Sequence, residues 1–142
     1  MMKRLRGQRG AALLETAITL PMILLVSVSI FEFGRAYQTW QVLTNASREG
    51  ARLAVIEGST DTNVKARVNE YLTGGGLASQ PDSNIQITRN VTLTASGKGT
   101  QVQLNYPFQF MVLNPVIRLI APSDNTGRGI YTMTASSVMR NE

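Results

Sequence analysis

The sequence predicts an α+β protein: a long N-terminal helix that extends into a small antiparallel sheet head with one short helix. Three observations predict this. Residues 11–31 form an almost wholly apolar segment, helix-forming residues then continue without proline to Ile56, and apolar residues alternate with polar ones from Asn84 onward. The 142 residues therefore divide into a basic leader (1–10), a long helix (11–57) and an α+β head (58–142).

The apolar segment has the length of a membrane span. Its 21 residues, Ala11 to Phe31, measure about 31 Å as a helix, and a hydrocarbon core is about 30 Å thick. Pro21 stands in the middle, where the missing N–H frees a carbonyl and predicts a helix kink.

The positive charge lies in the leader. The net charge is +5. Four of the 14 basic residues and none of the 9 acidic ones precede Gly10, so the rest of the chain contains 10 basic and 9 acidic residues and is nearly neutral. A nucleic-acid partner is therefore not expected. Basic residues beside a span hold that flank in the cytoplasm, which places the head outside it.

The chemistry of the side chains argues against catalysis. The chain has no cysteine and no histidine, which excludes a disulfide framework, a thiol nucleophile and imidazole chemistry. The acidic residues are scattered. We expect no catalytic residue, no metal site and no cofactor, and hence no enzyme.

Glu15 is the most informative residue, since it lies about one turn inside the apolar segment. An acidic residue costs about 3 kcal/mol at the centre of a membrane helix and less near an end. Three interpretations compete: a secretory signal peptide cut after the segment, a plain single-span anchor, and a leader cut before the segment. The last interpretation explains more of the residues than the other two do.

Gly10 followed by Glu15 resembles the cleavage site of type IV prepilin peptidases. With the blocks Glu32–Ala36 and Asn45–Arg52, the chain resembles the TadE-like pseudopilins, or minor pilins, of the tight-adherence (Tad, Flp-type) type IVb pilus. The resemblance covers roughly Gln8 to Val55. Thr16 stands where the major Flp pilins carry tyrosine, which argues against the major subunit.

The resemblance implies a single-pass inner-membrane protein, processed by the prepilin peptidase and needed for pilus assembly. Its partners would be that peptidase, other pilins and pseudopilins, the inner-membrane assembly platform and membrane lipid, with incorporation in the extracellular pilus left open. In a filament, Glu15 would pair with the Ala11 amine of a neighbouring subunit; alternatively, it snorkels to the membrane surface. The competing function is an uncleaved, membrane-anchored periplasmic binding or scaffolding protein.

A stripe of mostly small residues continues along the helix beyond the span. It predicts packing against a helix of a neighbouring subunit or, alternatively, against the chain's own head. The stripe is Ala36, Trp40, Leu43, Ser47, Gly50 and Ala54. The pairs Glu32–Arg35 and Glu49–Arg52 are interpreted as solvated helix faces.

The head begins with a second helix, capped by Asp61 or Thr62 and reaching about Leu72. The glycines at 74–76 suggest a flexible joint.

The sheet is predicted from Asn84 onward. A break in the alternation is expected near Arg89–Asn90, a hairpin turn over Ser96–Gly99 and a strand end at Pro107. Residues 108–120 are interpreted as a core or docking loop. The expected strands are 85–87, 91–95, 102–106 and 130–139.

Overall fold

The computed structural model describes residues 4–94, 97–112, 114–115 and 131–141. The elements are helices α1 (Arg4–Ala54) and α2 (Asp61–Gly74), a short 3-10 turn (Asp82–Asn84) and strands β1 (Ile85–Thr94), β2 (Gly97–Phe108) and β3 (Tyr131–Arg140). The strands form one antiparallel sheet in the order β1-β2-β3. The predicted α+β class is confirmed.

The chain forms two compact units. Of the described residues, the first unit contains those up to Gly34 together with 110–112 and 114–115. The second contains 35–109, without 95–96, and 131–141. Residues 113 and 116–120 of the expected loop, and Ser96 of the expected turn, lie outside the described residues.

The hydrophobic core belongs to the second unit. Both helices and all three strands contribute to it, and α2 contributes through side chains four positions apart, as expected for a packed helix. The fully or almost fully buried apolar residues are Leu43, Ala46, Ala51, Ala54, Val64, Val68, Leu72, Ile85, Val102, Leu104 and Ala135.

Helix α1 ends at Ala54, followed by a turn in which Gly58 takes a positive φ of 80° that favours glycine. Arg89, on β1, stabilises this end. Its guanidinium donates to the carbonyl oxygen of Ala54 at 2.9 Å and to that of Ser59 at 3.1 Å, and it pairs with Asp61 at 2.7 Å. A cation at a helix C-terminus satisfies carbonyls that have no partner within the helix.

Helix α2 is capped by the residue before the one we predicted. The Thr60 hydroxyl accepts a hydrogen bond from the Asn63 N–H, so Thr60 is the N-cap rather than Asp61 or Thr62. At the other end, the Leu77 N–H donates to the Leu72 carbonyl at 2.9 Å around Gly76, whose φ is 78°. The glycines do not form a loose joint: a Cβ on Gly75 would lie 2.5 Å from a methyl group of Val42 on α1.

The sheet contains the predicted irregularity and differs from the prediction in two places. The register of β1 against β2 shifts between Thr88 and Val91, where Asn90 has a φ of 61°. Pro107 does not end β2, since it pairs with Thr132 of β3. Strand β1 starts opposite Leu104, so among the described strands only β3 lies beside Pro107, a position where proline is tolerated. Gly97 and Gly99, expected in a turn, pair with Thr94 and Val91.

Candidate functional site

The first part of α1 presents an apolar surface. Every residue from Gly10 to Ser27 is exposed. The helix is long and apolar enough to cross a membrane, with a mean hydropathy of 2.0 in a window of which none is buried within the chain. A core helix of a water-soluble protein would be covered, so this surface needs lipid or another chain.

Gly10 and Ala11, the two residues of the predicted cleavage site, lie within the helical backbone of α1 and are exposed. A Cβ placed on Gly10 would have no heavy atom within 4 Å. The fold of the chain therefore does not require glycine at this position, and any requirement for it must come from outside the chain.

Glu15 is exposed on the same segment. Among the residues whose side chains the structure describes, none forms an ion pair or hydrogen bond with the Glu15 carboxylate. Hydroxyl groups nearby are satisfied locally, because Thr16 donates to the Ala12 carbonyl at 2.8 Å and Thr19 to the Glu15 carbonyl at 2.9 Å. Pro21 lies inside α1, which stays helical on both sides of it.

The stripe beyond the span is divided between two environments. Leu43, Ser47, Gly50 and Ala54 are buried in the second unit, Ala36 is half-buried, and Trp40 stays 47% exposed with its ring 6.1 Å from that of Tyr37. Four of the six residues thus pack within their own chain. Trp40, with Tyr37, faces outward.

Gly50 lies where α1 packs closely against α2 and β2. A Cβ at this position would lie 2.6 Å from a methyl group of Val68 on α2 and 3.3 Å from one of Val102 on β2. Valine side chains are stiff at χ1, so neither can rotate aside cheaply. Glycine here permits the packing of α1 on the head.

Glu49 connects the two helices. Its carboxylate accepts hydrogen bonds from Arg52, one turn further on α1, at 2.8 and 2.9 Å, and from Arg67 on α2 at 3.1 and 3.2 Å. The Arg52 hydrogen bond, with those of Arg67, lowers the pKa of the Glu49 carboxyl from 4.5 to about 2, against the raising effect of partial burial. The Glu49–Arg52 pair is therefore part of a connection between helices and not only a solvated face.

Glu32 is the residue that sequence reasoning missed. We interpreted it as solvated, but it is 0% exposed, and its Oε1 accepts the backbone N–H of Val112 at 2.5 Å. The interpretation was wrong because a partner 80 residues away in sequence leaves no local pattern. One signal in the sequence could have identified Glu32: it is a carboxylate immediately after a membrane-length segment. The cost of a charge beside hydrocarbon, which drew attention to Glu15, applies to Glu32 as well.

Arg35, its predicted solvated partner, also contacts a distant segment. Its guanidinium donates to the carbonyl oxygen of Gln109 and lies 4.6 Å from the centre of the Phe108 ring. Both blocks of the resemblance, 32–36 and 45–52, therefore contain residues that bind other parts of the chain.

Comparison with known proteins finds a similarity for the first part of the chain. Residues 10–52 match the model of the family described as TadE-like protein. This segment is similar to that family. No curated protein and no solved structure shows a significant match to the chain.

The TadE-like region begins at the predicted cleavage site and stops two residues before α1 ends. It contains the exposed apolar segment, Glu15, the buried Glu32 and the Glu49–Gly50 contact with α2. The sheet and α2 lie outside it. The family match therefore covers most of α1, including Glu49 and Gly50, through which α1 contacts α2 and β2.

Replacing Gly50 by alanine is expected to destabilise the protein. Alanine gains up to about 1 kcal/mol of helix propensity over glycine. Overpacking against Val68 and Val102 costs about 1–3 kcal/mol, so the net loss should be up to about 2 kcal/mol. Urea unfolding of the full chain in detergent micelles, followed by Trp40 fluorescence, measures it. Gly34→Ala is the matched control, because a Cβ there meets nothing within 4 Å. Equal stabilities of the two variants would contradict the close packing.

The Glu49 cluster predicts a dependence of stability on pH. Because the folded-state pKa lies below the unfolded-state value, the contribution is complete above about pH 5 and is lost as the pH falls towards 2. Because Glu49 is partly exposed, its contribution to the free energy of unfolding is at most about 2 kcal/mol. The unfolding free energies of the wild type and Glu49→Gln should converge at low pH. Glu57→Gln, which changes an exposed carboxylate outside the cluster, should parallel the wild type. A constant difference between wild type and Glu49→Gln from pH 7 to 2 would refute the assignment.

Proposed function

We propose that the protein is a minor pilin or pseudopilin of a Tad-type pilus, anchored in the inner membrane by the first part of α1 with its N-terminus in the cytoplasm. The TadE-like match over residues 10–52 supports a role in this system. The exposed apolar surface from Gly10 to Ser27 fits a single-pass anchor. The role is structural, in assembly of the pilus with other pilins and the assembly platform, and not enzymatic.

Maturation would proceed by cleavage between Gly10 and Ala11 by a prepilin peptidase. The observation that carries this step is an exposed glycine with no packing role in its own fold, placed five residues before Glu15. The glycine is explained if the active site of the peptidase can accommodate only a small residue at this position of the chain. Cleavage removes every basic residue of the leader and leaves α1 starting with a free amine.

Glu15 would then pair with the Ala11 amine of a neighbouring subunit. The Glu15 carboxylate has no partner among the described side chains of its own chain, and it lies on a surface that must meet lipid or protein. Pairing would remove the cost of an isolated charge, and a misplaced subunit would leave both groups unpaired. The remaining apolar surface would pack against the helices of other pilins.

The mature N-terminus tests the cleavage step. N-terminal sequencing and intact mass of the protein from cells with the pilus system should give a chain that starts at Ala11. Gly10→Val should block maturation, because the added side chain obstructs the peptidase without disturbing the fold. Gly34→Val, on the same helix and equally free of contacts, is the matched control and should mature normally. A retained Met1 would favour the uncleaved scaffolding protein, and a start near Ile30 a signal peptide.

Glu15→Gln tests the pairing. The variant keeps the shape of the side chain and should be cleaved normally, but it leaves the neighbour's amine without a counter-ion. Association with other pilins should weaken by about 3 kcal/mol, roughly a hundredfold. Quantitative co-purification of pilus components measures this, and Glu15→Asp, which keeps the charge, should retain more association than the glutamine variant. Unchanged co-purification with Glu15→Gln would rule the pairing out.

A further inference from the structure

We propose that the loop Phe110–Val112 inserts into the lipid bilayer at its outer boundary and gives the protein a second membrane contact besides the span. The inference rests on the proposed membrane anchoring of α1. It concerns residues of the first compact unit alone, and it explains why Glu32 is buried.

The first observation fixes the height of the loop. Ala11 to Phe31 measures about 31 Å, the thickness of a hydrocarbon core, so Glu32 lies where lipid tails give way to headgroups. The hydrogen bond from the Val112 N–H to Glu32 Oε1 holds the loop at this level. Met111, the preceding residue, is therefore close to the plane at which the span ends.

The second observation is the apolar surface at that level. Phe31, Phe33 and Met111 are 59%, 70% and 64% exposed, on the helix and on the loop tethered to it. Large apolar side chains on both segments would be poorly solvated in water. Their continuity with the exposed surface of residues 10–27 identifies lipid as the occupant.

The third observation concerns the polar groups at this depth. A carboxylate and a backbone N–H are each costly near hydrocarbon unless they are satisfied. Here the Val112 N–H donates to the Glu32 carboxylate, and Glu32 is 0% exposed. Glu32 is thus a positioning residue, which holds the loop in the bilayer surface and hides its own charge from lipid.

Depth-dependent fluorescence quenching tests the insertion. The chain contains no cysteine, so a single introduced cysteine gives a unique label. The full chain carrying Met111→Cys, labelled with the environment-sensitive dye NBD, is reconstituted in vesicles of phosphatidylethanolamine and phosphatidylglycerol. Nitroxide lipids labelled near the glycerol end of the acyl chain should quench it strongly, and lipids labelled near the methyl end weakly. Emission should also shift to the blue relative to a label in water.

Two control sites separate this proposal from the proposed function. Leu20→Cys, at the middle of the span, should be quenched most by the deep nitroxide, and Ser79→Cys, exposed after α2, by neither. If the label at 20 is quenched and the label at 111 behaves like that at 79, the loop proposal fails and the anchor stands. If the label at 20 is not quenched, the anchor itself fails. A label at 111 that is shielded from aqueous iodide but not quenched by lipid indicates a protein partner, which also overturns the proposal.

Glu32 variants test its positioning role in the Met111→Cys chain. Glu32→Leu removes the acceptor while making the helix more apolar, and quenching at 111 by the shallow nitroxide should fall. Glu32→Gln keeps a side-chain oxygen that can accept the Val112 N–H and should retain the wild-type quenching. Equal quenching in the leucine and wild-type chains would exclude the positioning role.

Discussion

The cost of placing a carboxylate beside hydrocarbon is the constraint on which the arrangement of this protein depends. Glu15 and Glu32 stand at the two ends of the apolar segment of α1, and each needs a partner. Glu32 finds one within the chain, the N–H of Val112. For Glu15, the described side chains offer none, and the proposed partner is an amine on another subunit. Under this proposal, the same physical demand is met by folding at one end and by assembly at the other.

Helix α1 is exposed in its first part and partly buried in its second part. From Gly10 to Ser27 its side chains are exposed and its hydroxyls donate to its own carbonyls, so the segment offers a surface without unsatisfied donors. Beyond Arg35, small residues such as Gly50 let it approach α2 and β2 closely. The helix therefore contributes an exposed apolar surface to the first unit and buried core residues to the second.

Features set by local pattern could be predicted from the sequence. The long apolar helix and the irregularity near Asn90 follow from composition and a change in alternation. Glycine placement predicted the end of the helix only approximately, since α1 ends at Ala54 and not at residue 57. The contacts Glu32–Val112, Arg35–Gln109 and Glu49–Arg67 could not be predicted, because their partners are distant in sequence. The predictions of a strand end at Pro107 and of a flexible joint at Gly75 were wrong for a related reason, since both positions depend on segments that are distant in sequence. Proline fits β2 only because β1 starts opposite Leu104, and Gly75 is tight only because Val42 lies against it.

The contribution of α1 to the core has a practical consequence for preparing a water-soluble fragment. A fragment that starts after the helix would lack Leu43, Ala46, Ala51 and Ala54 and would expose the apolar faces of α2 and the sheet. One that starts near Arg35 keeps these residues and omits the apolar surface of the span. The sensible truncation point therefore falls in the middle of a continuous helix, where secondary structure alone would not place it.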